Sequence, residues 1–498
     1  ASTEETASTE ETASTEEAES AQETGGAARP YLSERGAVMA VSMLLLRHRE
    51  EFATFGGYVN SPSFAALLYQ QLCELRRFSI GPEELREMDS PRVRDVALML
   101  EAYQKDILSR YTDVVGRMEM MVERIPEAPM LRGSHVFIDG FEMVTDQLLR
   151  AVGAIMGTAE EVAVTFRLGQ ENDRDFPIFE TELSHYKRIE KLALSAGKRL
   201  HPVPLYGKEA AFRQRSPMLR HLEAELFSLP YNVYRGPYDG SVLIREAAHG
   251  REEAAAAARY IAYLVREEGL RYRDIFVQLC DPGLSGLLRE EFEAHGIPCF
   301  LDEKRPVMLK TVCRFGLALL KCAVSGMARD DVLALLKTGM FPVSEEEAAF
   351  VQNYMVERGL RYLSARAAAQ EEDPGARRLL EPVHRPLSRL RAELRGNAAA
   401  MARAFYAAMA EYEEGIAAFL GGLVTEDPEA ADEEKLAYEA LMGILTQMDA
   451  MMGEALLTPG EFYQTVRAGL LAEEIAVLPP TADCVSVGDM DRSRAASV

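Results

Sequence analysis

Ser134-His-Val-Phe-Ile-Asp-Gly-Phe141 is an apolar run that stops on a carboxylate, Asp139, followed at once by Gly140. A β-branched and aromatic run bounded by turn residues reads as a buried strand, and glycine permits the sharp exit that such a strand end needs. Carboxylates at the carboxyl ends of parallel strands are where nucleotide-binding α/β proteins hold Mg²⁺. An Asp-Gly pair also serves simply to cap a turn. Both readings of Asp139 stay open on these residues alone, and the order of the surrounding segments bears on the choice.

Upstream, from Pro30 to about Arg132, the chain reads as helix: Ser33 to Phe55, Ser61 to Phe78, a start at Gly81-Pro82-Glu83-Glu84, then Ser90 to Glu123 with apolar residues three and four apart. Downstream to about Pro230, strands at Val136–Asp139, Glu161–Leu168 and Leu200–Leu205 alternate with helices at Thr145–Met156 and Ile178–Ala196. This is the βαβ rhythm of a parallel sheet. After a linker from Pro230 to Gly240, a second alternating block runs through a strand at Ser241–Glu246, a helix at Arg251–Glu268, a strand at Asp274–Leu279, a helix ending near His295 and a strand at Ile297–Leu301. From about Pro306 to Glu474 the chain is again almost wholly helical, and Asp483–Gly488 returns to a strand, as of a resumed and truncated sheet.

Composition bounds these readings. At 498 residues the chain has room for about three domains. With 48% hydrophobic residues it can bury large cores. Ala37 to Leu46 is about half the length a membrane-spanning helix requires and runs into Arg47, His48 and Arg49. The start is acidic and lacks the apolar core of a secretory signal, so a cytoplasmic protein is expected. Residues 1–28 contain the near-verbatim repeat Ala-Ser-Thr-Glu-Glu-Thr from Ala1, Ala7 and Ala13, whose composition predicts a disordered acidic tail. The net charge of −24 argues against bulk affinity for nucleic acid, so any DNA contact would be a local basic track. The six cysteines, at 73, 280, 299, 313, 322 and 484, form no Cys-x-x-Cys pair and read as small buried hydrophobes, with no metal site assigned.

Seven segments in this order resemble the B subunit, AddB type, of bacterial ATP-dependent helicase/deoxyribonucleases, which are superfamily 1 helicase-like proteins. They are Val136-Phe-Ile-Asp-Gly-Phe141; Glu246 with Arg251-Glu252-Glu253; Gly269-Leu-Arg-Tyr-Arg-Asp-Ile275; Gly296-Ile-Pro-Cys-Phe-Leu-Asp302; Leu335-Leu-Lys-Thr-Gly339; Asn353-Tyr354 with Gly359; and Val485-Ser-Val-Gly-Asp-Met-Asp-Arg-Ser-Arg494. The resemblance implies an α/β fold of two RecA-like helicase lobes with parallel sheets, each with a helical insertion subdomain, the second lobe truncated and the whole predominantly helical. The expected divisions are an acidic tail (1–28), a 1B-like helical subdomain (29–132), the remainder of the first lobe (133–230), the first part of the second lobe (240–305), a 2B-like helical insertion (306–475) and the return to the second lobe (476–498).

It also implies a role in unwinding and resecting DNA ends for double-strand break repair by homologous recombination, with an A subunit as partner and double-stranded ends and single-stranded DNA as substrates. Mg²⁺, ATP and an iron-sulfur cluster belong to the full-length family member. Such subunits carry a Gly-rich phosphate loop ending in Gly-Lys-Ser/Thr. Here Gly-Lys occurs only at Gly197-Lys198 and Gly207-Lys208, followed by Arg199 and Glu209, so a fragment lacking the phosphate loop and the nuclease domain is expected. Asp139 takes the place of the Mg²⁺-binding carboxylate, but Gly140 stands where a glutamate would activate water, and Cys280 stands near the usual place of a nucleotide-sensing arginine. This chain alone is therefore expected to be inactive as an ATPase. Asp139 and Gly140 are the degenerate nucleotide or metal site, and Lys337, Thr338, Gly339, Arg492 and Arg494 are the DNA-binding candidates. For Lys337 to Gly339 a helix-end capping role competes with phosphate contact, and for Arg492 and Arg494 an exposed turn competes with backbone contact. The densest basic stretch, Arg377, Arg378, Arg385, Arg389, Arg391 and Arg395, reads either as a solvated helix face or as a DNA or partner surface. A non-catalytic helicase-like DNA or protein binding module is the alternative function.

Overall fold

The computed structural model describes residues 29–140, 144–168, 174, 176–203, 216–301, 304–365, 374–476 and 483–490. Most of them are helical, and the sheets are small. Ser33 opens α1 (Glu34–Arg47) by accepting the amide of Gly36, and Ser61 followed by Pro62 opens α2 (Pro62–Arg77). Then follow α3 (Pro82–Arg86), α4 (Pro91–Ala102) and α5 (Val114–Arg124). The helix expected over 90–123 is thus broken. It widens at Tyr103–Ile107 and leaves helical form before Asp113, whose carboxylate accepts from Arg76 at 2.5 Å, from the Tyr103 hydroxyl at 3.1 Å and from the amide of Gly116 at 2.9 Å. Asp113 starts α5 and neutralises a buried arginine at the same time, which a continuous helix would not allow.

Next come β1 (His135–Ile138), α6 (Asp146–Thr158), β2 (Glu161–Val164), α7 (Glu180–Ser195), α8 (Pro217–Glu225), α9 (Gly250–Arg266), β3 (Phe276–Leu279), α10 (Ser285–Ala294), β4 (Cys299–Leu301) and the short β5 (Lys304–Pro306). A helical run follows: α11 (Thr311–Ser325), α12 (Arg329–Leu336), α13 (Glu345–Glu357), α14 (Pro374–Glu393), α15 (Ala398–Ala410), α16 (Glu413–Glu426), α17 (Pro428–Met452) and α18 (Pro459–Leu471). The chain closes with β6 (Glu474–Ala476), antiparallel to β5, and β7 (Val485–Asp489). No helix among the described residues is long and apolar enough to cross a membrane.

Two compact units result. Of the described residues, those up to Arg124 join those of Val307–Glu473 in a helical unit, and those of Ile125–Pro306 join those from Glu474 onward in a unit that holds the sheets. In the helical unit α1 packs against α2 and α18, and a Cβ on Gly469 of α18 would meet Met39 Sδ at 2.9 Å, so glycine sets how closely those helices approach. Helix α17 docks on the start of α11 through two nearly buried glutamates. Glu434 accepts the amides of Thr311 and Val312 at 2.7 and 2.9 Å, while Glu433 pairs with Lys310. A carboxylate at a helix N-terminus is favoured by the helix dipole, and here it also satisfies two otherwise unpaired amides.

In the second unit β1 and β2 run parallel, in register from His135 against Glu161 to Ile138 against Val164, with α6 as the crossover. Val144, Val152, Met156, Ile189 and Ala193 form the core beneath that pair. A separate parallel sheet has the order β3-β7-β4. The last strand thus returns to the second sheet, as its sequence predicted, and inserts between strands that precede the helical run. Its core joins Ala254, Ala258, Ile261, Leu288 and Phe292 to Val485 and Val487. Small Ala254 and Ala258 let α9 lie close to the sheet.

Two expected strands differ. Residues 241–247 form no strand: Leu243 and Ile244 are exposed, and the segment is held by Asp239, which accepts the Ser241 amide at 3.0 Å and the Ser216 hydroxyl at 2.6 Å. Residues 200–203 are not in a strand either, while 204 and 205 lie outside the described residues. An apolar run supplies strand propensity but not a neighbouring strand, and without a ladder it stays single. The tail at 1–28 also lies outside the described residues.

Candidate nucleic-acid interface

Asp139 follows the last residue of β1 and is exposed. Its Oδ1 accepts the hydroxyl of Thr165, and the Thr165 amide donates to the carbonyl of Ile138 at 3.0 Å, so the pair ties together the carboxyl ends of β1 and β2. Gly140 has φ +80°, a left-handed turn that suits glycine. Were Mg²⁺ held at this strand end, Asp139 would be the residue to offer it an oxygen. The described residues bring no group of three His, Cys, Asp or Glu together, and the position that would hold a base is Gly140. The cysteines do not fit an iron-sulfur cluster for the same reason. Cys73, Cys313, Cys322 and Cys484 are each buried, and burial pushes the Cys73 thiol up to about 11 and the Cys313 thiol up to about 12. Cys280 is exposed just beyond β3.

Lys337, Thr338 and Gly339 end α12. The Thr338 hydroxyl donates to the Leu335 carbonyl at 2.6 Å, the Lys337 amide donates to the Leu333 carbonyl at 3.1 Å, and Gly339 turns the chain at φ +76°. Backbone capping therefore accounts for Gly339 and for the Thr338 hydroxyl proton. It leaves the Lys337 side chain exposed and, among the described residues, without an ion-pair partner.

That lysine lines a groove of about 410 Å³ between α11 and α12, floored by Leu333 and Ala334 and edged by Thr311, Arg314, Asp330, Lys337 and Thr338. Arg314 is also exposed and unpaired among the described residues, and Asp330 lies 3.4 Å from Arg329. The charge of Glu434, below Thr311, is engaged by the two amides that start α11. Two free cations and two threonine side chains thus face one shallow space. Such a set suits phosphate oxygens, because arginine presents a planar fork and lysine a point charge, while the Thr311 hydroxyl is a neutral donor and that of Thr338 is already bonded to Leu335. The groove contains no nucleophile with an adjacent base, and its chemistry is binding.

Arg314 was not among the residues singled out from the sequence. Its signal was there: it is the one cation in the first three turns of an otherwise apolar helix, Thr-Val-Cys-Arg-Phe-Gly-Leu-Ala-Leu-Leu. Glu252 and Glu253 sit in the first turn of α9, where the Glu252 amide donates to His249 Nδ1 and the Glu252 carboxylate accepts the Ala248 amide, so capping explains Glu252. Arg492 and Arg494 lie outside the described residues.

Comparison with known proteins gives these features a context. Residues 19–223 match the family model described as ADDB, N-terminal. The chain is 30% identical over 517 residues to the B subunit of the ATP-dependent helicase/deoxyribonuclease of Pelotomaculum thermopropionicum, covering 94% of this chain and 44% of the relative. It is 31% identical over 514 residues to the protein of the same name from Moorella thermoacetica, with the same coverage. Against the one from Symbiobacterium thermophilum it is 30% identical over 527 residues, covering 95% of this chain and 45% of the relative. The chain thus spans less than half the length of these curated relatives. Along nearly its whole length, then, this chain is similar to the AddB-type B subunits of ATP-dependent helicase/deoxyribonucleases.

Proposed function

We propose that this chain is the helicase-like part of a B subunit that, with an A subunit, unwinds and resects DNA ends in double-strand break repair by recombination, in the cytoplasm. Its two parallel sheets are read as the remains of two RecA-like lobes, and its own contribution is a DNA-contacting and subunit scaffold. The observation that carries the DNA contact is the groove of Arg314 and Lys337, two cations left uncompensated in a chain of net charge −24. The non-catalytic reading draws support from Asp139, a single carboxylate already engaged by Thr165 and followed by glycine. Mg²⁺ and ATP belong to the longer family member in this proposal, and the chain alone is expected to turn over no ATP.

A gel-shift of duplex ends and single strands, with and without the A subunit, tests it. Binding at low salt is expected, weakening as salt rises. Arg314→Ala and Lys337→Ala should each make the log K against log [salt] slope shallower by about 0.7 on single strands or about 0.9 on duplex. Absence of any shift at low salt in both states, or robust ATP turnover abolished by Asp139→Ala, would overturn the reading.

A further inference from the structure

Helix α14 carries a charge pattern at odds with the rest of the chain. Residues 374–395 hold six arginines against two glutamates, in a protein whose acids outnumber its bases by 79 to 55. One face of the helix is fixed by packing: Ala376, Leu380, Val383, Leu387 and Leu390 are buried. At 3.6 residues per turn these positions form one stripe, and the opposite pole falls on Arg378, Arg385 and Arg389, which lie within about 40° of one another around the axis. All three are exposed.

The six arginines are not equivalent. Arg389 is engaged by Glu411 and lies 3.9 Å from Glu393, Arg377 lies 3.9 Å from Glu381, and the Arg391 guanidinium packs against Gly326. Arg378 and Arg385 make no ion pair or hydrogen bond among the described residues. They stand seven residues apart on the same side, about 10.5 Å along the axis at 1.5 Å per residue.

We infer that the outward face of α14 binds the phosphodiester backbone of nucleic acid, with Arg378 and Arg385 on separate phosphates. The inference rests on the DNA-handling role proposed above and adds a second contact on a different element from the groove of Arg314 and Lys337. Guanidinium forks match phosphate oxygens in pairs, and α14 presents both arginines on one side although Pro382 and Pro386 lie inside it. Contacts of this kind set register on the backbone and read no sequence.

The test compares the full chain with its Arg378→Gln/Arg385→Gln variant, titrated by fluorescence anisotropy against a labelled 20-nucleotide single strand and a duplex of the same length over a range of KCl. The slope of log K against log [salt] should become shallower by about 1.4 on the single strand or about 1.8 on the duplex, and the arm that changes identifies the bound form. A control with the same charge loss on α4, Arg92→Gln/Arg94→Gln, should keep the wild-type slope. Wild-type binding with an unchanged slope in the α14 variant overturns the inference and leaves the proposed function standing, whereas a wild-type chain that binds neither nucleic acid overturns both. An equal loss in the α4 control assigns the effect to bulk charge. Labelled polyglutamate is titrated in the same way as a third ligand: loss of its binding in the α14 variant with DNA slopes intact assigns the face to an acidic polypeptide, and either result overturns the inference.

Discussion

Phe405 and Phe137 stand at comparable places in the two units, each at the middle of an element that carries its surroundings. Phe405 of α15 is fully buried and meets Phe462 edge-on, ring centroids 6.4 Å apart. Phe137 of β1 is 80% exposed. The same contrast recurs at larger scale. Helix α17 buries ten of its residues, whereas α8 buries none and is followed by exposed Phe227, Leu229, Tyr231 and Val233. Parallel sheets are ordinarily covered on both faces. Among the described residues the β1–β2 pair is covered on one, by the cluster around Val152 and Ile189. Folding free energy is therefore concentrated in the helical unit, and the strand end carrying Asp139 sits on a sheet that contributes little of it.

The largest effect expected from this contrast is on Phe405. Phe405→Ala removes a ring from a closed core and should cost about 3–5 kcal/mol, while Phe137→Ala should stay within about 0.5 kcal/mol. Urea denaturation of both variants decides it, and equal losses would mean that Phe137 is covered in solution. Next comes the buried polar cluster of the helical unit. Asp113 is fully buried and accepts from Arg76, Tyr103 and the Gly116 amide, so Asp113→Asn should cost about 1.5–3 kcal/mol by weakening charge-assisted bonds. Partial restoration of stability by a further Arg76→Met change is expected, since the double variant leaves no buried charge unpaired. Amide exchange should speed up throughout the helical unit in the single variant and stay unchanged around β1. Loss of protection at β1 as well would show that the two units do not differ in the way proposed.

Much of this contrast was legible in the residues, and the parts that were not share a cause. The Val136–Ile138 run, the crossover helix after it and the return of Val485–Gly488 to a sheet all follow from local pattern, although the first run, which reads as a buried strand, leaves Phe137 exposed while Val485 and Val487 are buried. The helix ends at Ser33, Ser61 and Gly339 did so through capping residues. What pattern could not supply was a neighbour. Ser241–Glu246 has strand composition but no partner strand, and the break before Asp113 depends on Arg76, 37 residues earlier. The groove escaped for the same reason. Lys337 was identified on its own helix, but Arg314 became a candidate only when α11 and α12 were seen to flank one space.

The smallest effect expected separates the units by acid sensitivity. Asp95 is nearly buried, and burial alone would raise its carboxyl. The Thr54 hydroxyl and the amides of Ala53, Thr54 and Phe55 outweigh that and hold it below the usual aspartate range. A carboxyl depressed in the folded state contributes stability that is complete above its unfolded pKa, about 3.9, and is lost as pH falls through the folded value. Asp95→Asn should therefore cost about 1 kcal/mol at pH 7, and the gap between variant and wild type should close below about pH 4. In the sheet-bearing unit, the amide and side chain of Asn232, with Arg174, hold Glu225 at about 2. Its clasp on residues 225–232 should persist to lower pH, visible as Asn232 amide protection that survives to about pH 2. Urea midpoints of the Asp95 pair from about pH 2 to 7 measure the first effect and hydrogen exchange at Asn232 the second. A gap between wild type and Asp95→Asn that stays constant down to about pH 2 would mean that the Thr54 loop is held by something other than the charge on Asp95.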